Sequence, residues 1–135
     1  MVAGSLQELV QLARVAAQNA YAPYSHFRVG AAILCKDGSV FVGSNVENRS
    51  FGLTICAERS AIVAAVAQGR RDFVDMAIIG LDADDPLPPC GACRQVITEF
   101  FLPEACIHFA GLDGKVKSVK LSELLPYDSL HDQFR

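Results

Sequence analysis

The spacing of apolar residues along the chain predicts alternating helices and strands. Ser5 and Glu8 have the spacing of a helix capping box, and apolar residues then recur at helical intervals, which predicts a first helix over about Ser5–Asn19. An apolar run at Val29–Cys35, an Asp-Gly turn and a second short run at Val40–Val42 predict a β-hairpin. The chain therefore begins with a helix that is followed by paired strands.

The same patterns continue to the end of the chain. A second helix is predicted over about Thr54–Gln68, a central strand over Phe73–Leu81, and a third helix from about Cys90 to Phe101. Two further strands and a short helix complete the prediction, at Ala105–Ala110, Val116–Val119 and Leu121–Leu125. This order predicts an α/β fold in one domain over residues 1–135, a three-layer α-β-α sandwich with a mixed five-stranded sheet.

Composition and charge narrow the class of protein. The 135 residues are 51% hydrophobic and 20% charged, which is typical of a soluble globular domain. The net charge is −3 and the charged residues are scattered along the chain, so there is no strongly basic region to attract a polyanion. We therefore expect no nucleic-acid partner. The apolar runs are too short to cross a membrane, and the chain start lacks the features of a secretory signal. We therefore expect a cytoplasmic protein with no membrane partner.

Three of the five cysteines lie at predicted helix starts, which suggests a metal site. Cys56 opens the second helix, and Cys90 and Cys93 open the third directly after Pro89. Helix N-termini favour thiolates, and three thiolates can bind Zn²⁺ while a fourth position stays open for water. The other two cysteines, Cys35 and Cys106, lie inside predicted strands and are interpreted as core residues.

A carboxylate next to one of these cysteines supplies the proton chemistry that a zinc hydrolase needs. Glu58 lies two residues after Cys56, so it is a candidate for general base and general acid. Three thiolates exceed the charge of Zn²⁺ by one, and Arg59 and Arg94 are candidates for the cation that offsets this excess.

Other interpretations of the cysteines remain open. Cys90 and Cys93 alone could form a redox Cys-x-x-Cys pair, and Cys35 or Cys106 could complete a purely structural zinc site. The third cysteine and its neighbouring carboxylate favour zinc over a redox pair, and the position of Cys35 and Cys106 inside apolar strands favours a catalytic over a structural site. His26, His108 and His131 are isolated from the cysteines, so none is expected to be a ligand.

Two separated motifs match the zinc-deaminase signature in its three-cysteine form. These are Cys56-Ala57-Glu58 and the segment Pro89–Cys93, and around them the chain resembles the small cytidine deaminases over nearly its whole length. The segments that carry the resemblance are Tyr24–Ala31, Asn45–Asn48, Gly52–Arg59, Pro89–Gln95 and Glu123–Pro126.

The resemblance implies zinc-dependent hydrolysis of cytidine and 2′-deoxycytidine to the uridines, with release of ammonia, in pyrimidine salvage. It implies one Zn²⁺ per chain on Cys56, Cys90 and Cys93, and proton transfer by Glu58. It also implies a homotetramer whose active sites borrow residues from neighbouring subunits. A deaminase for another cytosine-bearing nucleoside, such as an antibiotic, is the nearest alternative.

The resemblance further implies which residues bind substrate and which support the ligands. Asn45 and Glu47 match positions that bind the ribose, and Phe27 matches the ring that packs on the pyrimidine. The remaining implied residues are Val46, Phe51 and Ala57 at the substrate, and Arg59 and Gln95 beside the ligands.

Two positions depart from the family pattern. Phe51 stands where many members have Tyr, and Ser129 stands where the family usually has a Phe that reaches a neighbouring subunit's substrate. Leu130 and Phe134 are the candidates to replace that Phe.

Overall fold

A five-stranded sheet with helices on both faces organises residues 2–128, the part of the chain that the computed structural model describes. The helices are α1 (Leu6–Ala17), α2 (Ala57–Ala67), α3 (Gly91–Phe100) and α4 (Leu121–Leu124). The strands are β1 (Val29–Cys35), β2 (Val40–Ser44), β3 (Phe73–Gly80), β4 (Cys106–Ala110) and β5 (Val116–Lys120). A single 3₁₀ turn at Phe51–Leu53 precedes α2. The predicted fold class is confirmed.

The sheet is mixed, with strand order β2-β1-β3-β4-β5. β3 and β4 pair in parallel, and the other neighbouring strands pair antiparallel. A parallel pair needs a crossover connection, and α3 lies in the chain between β3 and β4. This topology places the start of α3 close to the start of α2.

Each face of the sheet carries its own apolar layer. Under α1, Leu9 and Ala13 are buried together with Ala77 and Ile79 of β3. On the opposite face α2, α3 and α4 cover the larger cluster, in which Ile62 and Ile97 are buried. The two layers give the three-layer α-β-α arrangement.

The second helix starts later than the apolar pattern predicts. The prediction began it at Thr54, whereas α2 begins at Ala57 and Cys56 is its extended N-cap residue, with φ −71° and ψ 156°. Val46 and Ile55 exchange two backbone hydrogen bonds of 2.9 Å each, which holds the preceding residues in an extended conformation. The predicted start is therefore wrong by three residues.

None of the helices within residues 2–128 combines the length and the apolar character that a bilayer span requires. Four residues named in the sequence analysis, Ser129, Leu130, His131 and Phe134, lie outside the described part of the chain.

Candidate metal centre and active site

The N-terminal ends of α2 and α3 bring three thiols together. Cys56 and Cys90 are the N-cap residues of the two helices, and Cys93 lies in the first turn of α3. Neither N-cap side chain makes a capping hydrogen bond to its own helix. Both thiols are therefore free to point at a common centre with Cys93.

The separations of the three sulfur atoms fit a tetrahedral metal ion. All three Sγ atoms lie within 4.8 Å of one another, with 4.0 Å between Cys56 and Cys90 and 3.4 Å between Cys90 and Cys93. Zn–S bonds of about 2.3 Å at tetrahedral angles place sulfurs roughly 3.8 Å apart. Within residues 2–128 no fourth Cys, His, Asp or Glu joins this cluster. A zinc ion held here would keep one position open for other ligands.

An arginine and a second thiol stabilise the thiolate form of Cys56. Arg59 Nη2 donates a hydrogen bond to Cys56 Sγ at 3.3 Å. The pKa of Cys56 is lowered to about 5, mainly by a hydrogen bond from the Cys93 thiol. The hydrogen bond and the positive charge of Arg59 lower it further, whereas burial opposes the shift. The bond to Cys56 in turn raises the pKa of Arg59. Cys56 is thus ready to bind a cation at neutral pH.

Glu58 is the carboxylate nearest to this cluster in the chain, and it is almost fully buried, with 4% of its surface exposed. Burial is the main effect that raises the pKa of its side chain, and the Cys56 thiolate raises it further. A carboxyl group whose pKa is moved toward neutrality exchanges protons more readily at neutral pH than an exposed one. The environment of Glu58 therefore suits a group that both takes up and returns protons.

A cavity of about 190 Å³ opens beside the thiols. It is lined by Val29, Asn45, Thr54, Cys56, Ala57, Glu58, Leu87, Pro88 and Cys90. Two other cavities are slightly larger, but neither contains the thiols or Glu58. Chemistry rather than size therefore identifies this cavity as the candidate active site.

The cavity contains five of the predicted site residues and four residues that the sequence analysis missed. The missed residues are Val29, Thr54, Leu87 and Pro88. Thr54 and Pro88 each lie two residues before a cluster cysteine, so a search around the cysteines could have found them. Val29 and Leu87 carry only apolar side chains, which give no sequence signal of a site.

Asn45 lies on the wall of the cavity and ties together the chain at the start of β1. Its Oδ1 accepts a hydrogen bond from the Val29 N–H at 2.9 Å, and its Nδ2 donates to the Phe27 carbonyl at 2.8 Å. The side chain is buried, with 8% exposed. Asn45 therefore has a structural role whether or not it also contacts substrate.

Glu47 holds the loop that precedes Phe27. Its carboxylate accepts hydrogen bonds from the N–H groups of Tyr24 and Ser25, at 3.0 and 3.1 Å, and from the Ser25 hydroxyl. The Ser25 hydroxyl is the main cause that lowers the pKa of Glu47, so this carboxylate is ionised at neutral pH. Glu47 and Phe27 do not line the cavity.

The other predicted substrate residues, Val46 and Phe51, lie at the surface and do not line the cavity. Phe51 is 74% exposed on the 3₁₀ turn, where its ring meets Tyr24 edge-on with centroids 6.0 Å apart. Val46 is also exposed and bridges Tyr21 and Ile55 through its backbone. Their contact with substrate stays a prediction.

Arg94 and Gln95, in the first half of α3, form hydrogen bonds with groups other than the thiols. Gln95 Nε2 donates to Asp128 Oδ1 at 2.9 Å. Arg94 donates to the carbonyl oxygens of Pro89 and Leu124. The arginine that contacts a thiol is therefore Arg59.

The two cysteines outside the cluster and His108 have ordinary packing surroundings. Cys35 is buried and Cys106 half-buried in their strands, and all five cysteines are free. His108 is buried between Ser118 and Asp75, at 2.6 and 3.1 Å from their oxygens. These residues lie outside the thiol cluster.

Comparisons with known proteins point to one family. A family model described as "Cytidine and deoxycytidylate deaminase zinc-binding region" matches residues 4–109. A cytidine deaminase from Halalkalibacterium halodurans is 49% identical over 120 residues, which are 89% of this chain and 90% of that protein. A blasticidin-S deaminase from Bacillus cereus is 31% identical over 126 residues, with 88% of each chain covered.

A solved structure shares both the fold and much of the sequence. The crystal structure of cytidine deaminase from Burkholderia pseudomallei superposes with a TM-score of 0.88 at 43% identity, covering 92% of this chain and 98% of that one. Sequence, fold and the three-thiol cluster with its buried carboxylate thus lead to one assignment. The chain belongs to the zinc-binding family of cytidine and deoxycytidylate deaminases.

Proposed function

We propose that this protein hydrolyses cytidine and 2′-deoxycytidine to uridine and 2′-deoxyuridine, with release of ammonia, in pyrimidine salvage. The observation that carries the proposal is the three-thiol cluster, two of whose members, Cys56 and Cys90, line the same cavity as the buried Glu58. Membership of the deaminase family supports it.

Cys56, Cys90 and Cys93 would hold one Zn²⁺ per chain, since their sulfur separations fit a tetrahedral ion. When bound, Zn²⁺ is a Lewis acid that lowers the pKa of a water molecule in the cavity. Arg59 keeps Cys56 in the thiolate form that this ion requires.

Glu58 would move the protons of the reaction. It takes a proton from the water that attacks C4 of cytosine and delivers it to ring N3. It then transfers the remaining hydroxyl proton to the departing amine, which leaves as ammonia while the C4 carbonyl forms. Burial, which raises the pKa of Glu58, favours this alternation between the charged and neutral forms.

The nucleoside would be held by groups on the cavity wall and around its mouth. Ala57, at the start of α2, lines the cavity and offers its backbone to the base. Asn45 and Glu47 have oxygens that can accept further hydrogen bonds from ribose hydroxyls. Phe27, Val46 and Phe51 complete the proposed substrate contacts.

The decisive variant is Glu58→Gln, which preserves the shape of the side chain but removes its capacity to carry a proton. We expect kcat for cytidine to fall about 10²- to 10⁴-fold, with zinc content and melting temperature unchanged. The matched control is Glu99→Gln, an exposed carboxylate of α3, which should retain wild-type turnover. Wild-type turnover in the Glu58 variant would refute the proposed role.

A deaminase for an antibiotic nucleoside is a second candidate, because a blasticidin-S deaminase is 31% identical to this chain. Ultraviolet assays of cytidine, 2′-deoxycytidine and blasticidin S on the same zinc-loaded sample separate the candidates. We expect the largest kcat/KM for the two unmodified nucleosides. A larger kcat/KM for blasticidin S would reverse the assignment.

We further propose that residues 1–135 form a single catalytic domain that assembles as a homotetramer with shared active sites. Exposed apolar side chains on the segment that leads into Cys56, including Phe51, Leu53 and Ile55, support the assembly. The five free cysteines support a reducing, cytoplasmic location.

A further inference from the structure

Arg94 follows Cys93 directly and binds two backbone carbonyls, one five residues earlier in the chain and one 30 residues later. Its Nε donates to the Pro89 oxygen at 2.8 Å, and its Nη1 donates to the Leu124 oxygen at 3.1 Å. Both acceptors are neutral carbonyl groups, so the contact orients parts of the chain and pairs no opposite charge.

The Pro89 carbonyl belongs to the peptide group that leads into Cys90. A peptide group is planar and nearly rigid, so a donor that holds its oxygen also fixes the direction in which the chain enters Cys90. Cys90 depends on such support because it is an exposed N-cap residue with extended backbone, φ −67° and ψ 167°, and no capping bond of its own. The orientation of the Cys90 thiol therefore follows the orientation of this peptide.

The second hydrogen bond fixes the guanidinium group itself. Leu124 is the last residue of α4, where helix carbonyls lack partners within the helix. A rigid planar guanidinium can reach both oxygens at once, whereas a lysine ammonium is a single compact charge on a flexible stem. Arg94 thereby anchors the Pro89–Cys90 peptide to α4.

We infer that Arg94 is a positioning residue for the Cys90 thiolate and, through it, for the zinc ion. Arg59 donates a hydrogen bond directly to the sulfur of Cys56, whereas Arg94 orients Cys90 through the peptide group that precedes it. Each of the two N-cap cysteines is thus held by a different arginine. The inference rests on the proposed zinc site, but it does not depend on which nucleoside is the substrate.

The test compares zinc release from the zinc-loaded wild type and the variants Arg94→Met and Arg94→Lys, with an excess of the chromogenic chelator 4-(2-pyridylazo)resorcinol. We expect release to be about tenfold faster, or more, in Arg94→Met, with an intermediate rate in Arg94→Lys. For cytidine we expect kcat to fall while KM changes less than about twofold, because the nucleoside contacts remain.

The matched control is Arg71→Met, which removes an exposed arginine beyond the C-terminal end of α2. It should release zinc at the wild-type rate. A purely structural role for Arg94 would lower the melting temperature of its variants without changing their zinc release, and that result would overturn the inference. If Arg94→Met does not fold, a wild-type release rate in Arg94→Lys would overturn it equally.

Failure of this inference and failure of the proposed function are distinguishable. If zinc-loaded wild type deaminates no cytidine, the proposed function is wrong, while the comparison of release rates still decides the role of Arg94.

Discussion

Single side chains in this protein connect the cavity to the backbone around it. Asn45 bonds both Phe27 and Val29, which lie 18 and 16 residues away in the chain. Arg59 bonds Cys56, only three residues away. The first kind of contact depends on the whole fold, and the second depends only on the first turn of α2 and its N-cap residue.

Asn45→Ala should destabilise the protein by about 1–3 kcal/mol, because it leaves the Val29 N–H and the Phe27 carbonyl without these partners in a partly buried place. Urea unfolding measures the change. Asn19→Ala, at an exposed position after α1, should stay within about 0.5 kcal/mol of wild type. Equal stability of the two variants would contradict a structural role for Asn45.

Arg59→Gln should make zinc binding more sensitive to acid. Protons compete with zinc for the thiolates, and the pKa of Cys56, lowered to about 5 by Cys93 and Arg59, rises when the positive charge is removed. We expect the midpoint of zinc loss to move to higher pH by about one unit. Zinc content measured after equilibration from pH 8 to pH 4 checks this. A midpoint that is unchanged or lower would show that Arg59 does not stabilise the thiolate.

At this scale the sequence predicts what short local motifs carry, and the structure brings the three predicted thiols together. The three cysteines and Glu58 lie in two short motifs, each at the start of one helix, so their convergence could be predicted from the helices alone. The bond from Arg94 to Leu124 joins residues 30 positions apart, and no local pattern indicates it. The same is true of the cavity wall formed by Val29 and Leu87.

At the scale of elements, two glycines allow helices to approach the sheet closely on its opposite faces. A Cβ on Gly30 would lie 1.9 Å from the Ala13 carbonyl oxygen of α1. A Cβ on Gly43 would lie 2.4 Å from the Ala61 nitrogen of α2. Because α2 carries Glu58 and is capped by Cys56, the contact at Gly43 also sets the depth of the active site.

Gly43→Ala should therefore destabilise the protein by roughly 1–3 kcal/mol or more and lower cytidine turnover, since β2 and α2 must separate to admit the methyl group. Thermal unfolding and steady-state kinetics measure the two effects. Gly52→Ala is the control, because a Cβ there meets nothing within 4 Å. A Gly43 variant as stable as this control would show that the helix does not depend on the close approach.

The elements themselves were predicted well because strong apolar runs and helical periodicity dominate the sequence. The start of α2 was the main error. Thr54 resembles a conventional cap, whereas the actual cap is Cys56, a residue that seldom has this role. The backbone pairing of Val46 with Ile55 keeps the chain extended up to that point, and such pairing between distant residues overrides local helix preference.

At the scale of the whole molecule, apolar side chains remain exposed at positions next in the chain to residues that line the cavity. Leu53 is 66% exposed, and Ile55 and Val46 are 45% and 46% exposed. An apolar patch beside a functional cavity is typical of a surface that another chain covers. Apolar periodicity could not predict which surface contacts another subunit, because the same pattern marks residues of the core and residues of a subunit contact.

Leu53→Glu should weaken the proposed tetramer, because it places a charge in an apolar contact. Light scattering after size exclusion should show smaller species, and cytidine turnover should fall if neighbouring chains share the sites. Leu112→Glu is the matched control, at a 59% exposed leucine in the turn between β4 and β5. An unchanged mass for Leu53→Glu, or equal dissociation of both variants, would exclude Leu53 from the interface.

The position of β5 at one end of the strand order has a consequence for how copies of the protein can meet. Within residues 2–128, β5 pairs with β4 alone, so it is an edge strand that could accept a strand from another molecule. Lys117 and Lys120 lie on β5, and lysines at a sheet edge oppose such strand addition because pairing would bury or crowd their charges. Strand addition at this edge is thereby discouraged, which favours association of copies through side-chain surfaces over growth from β5.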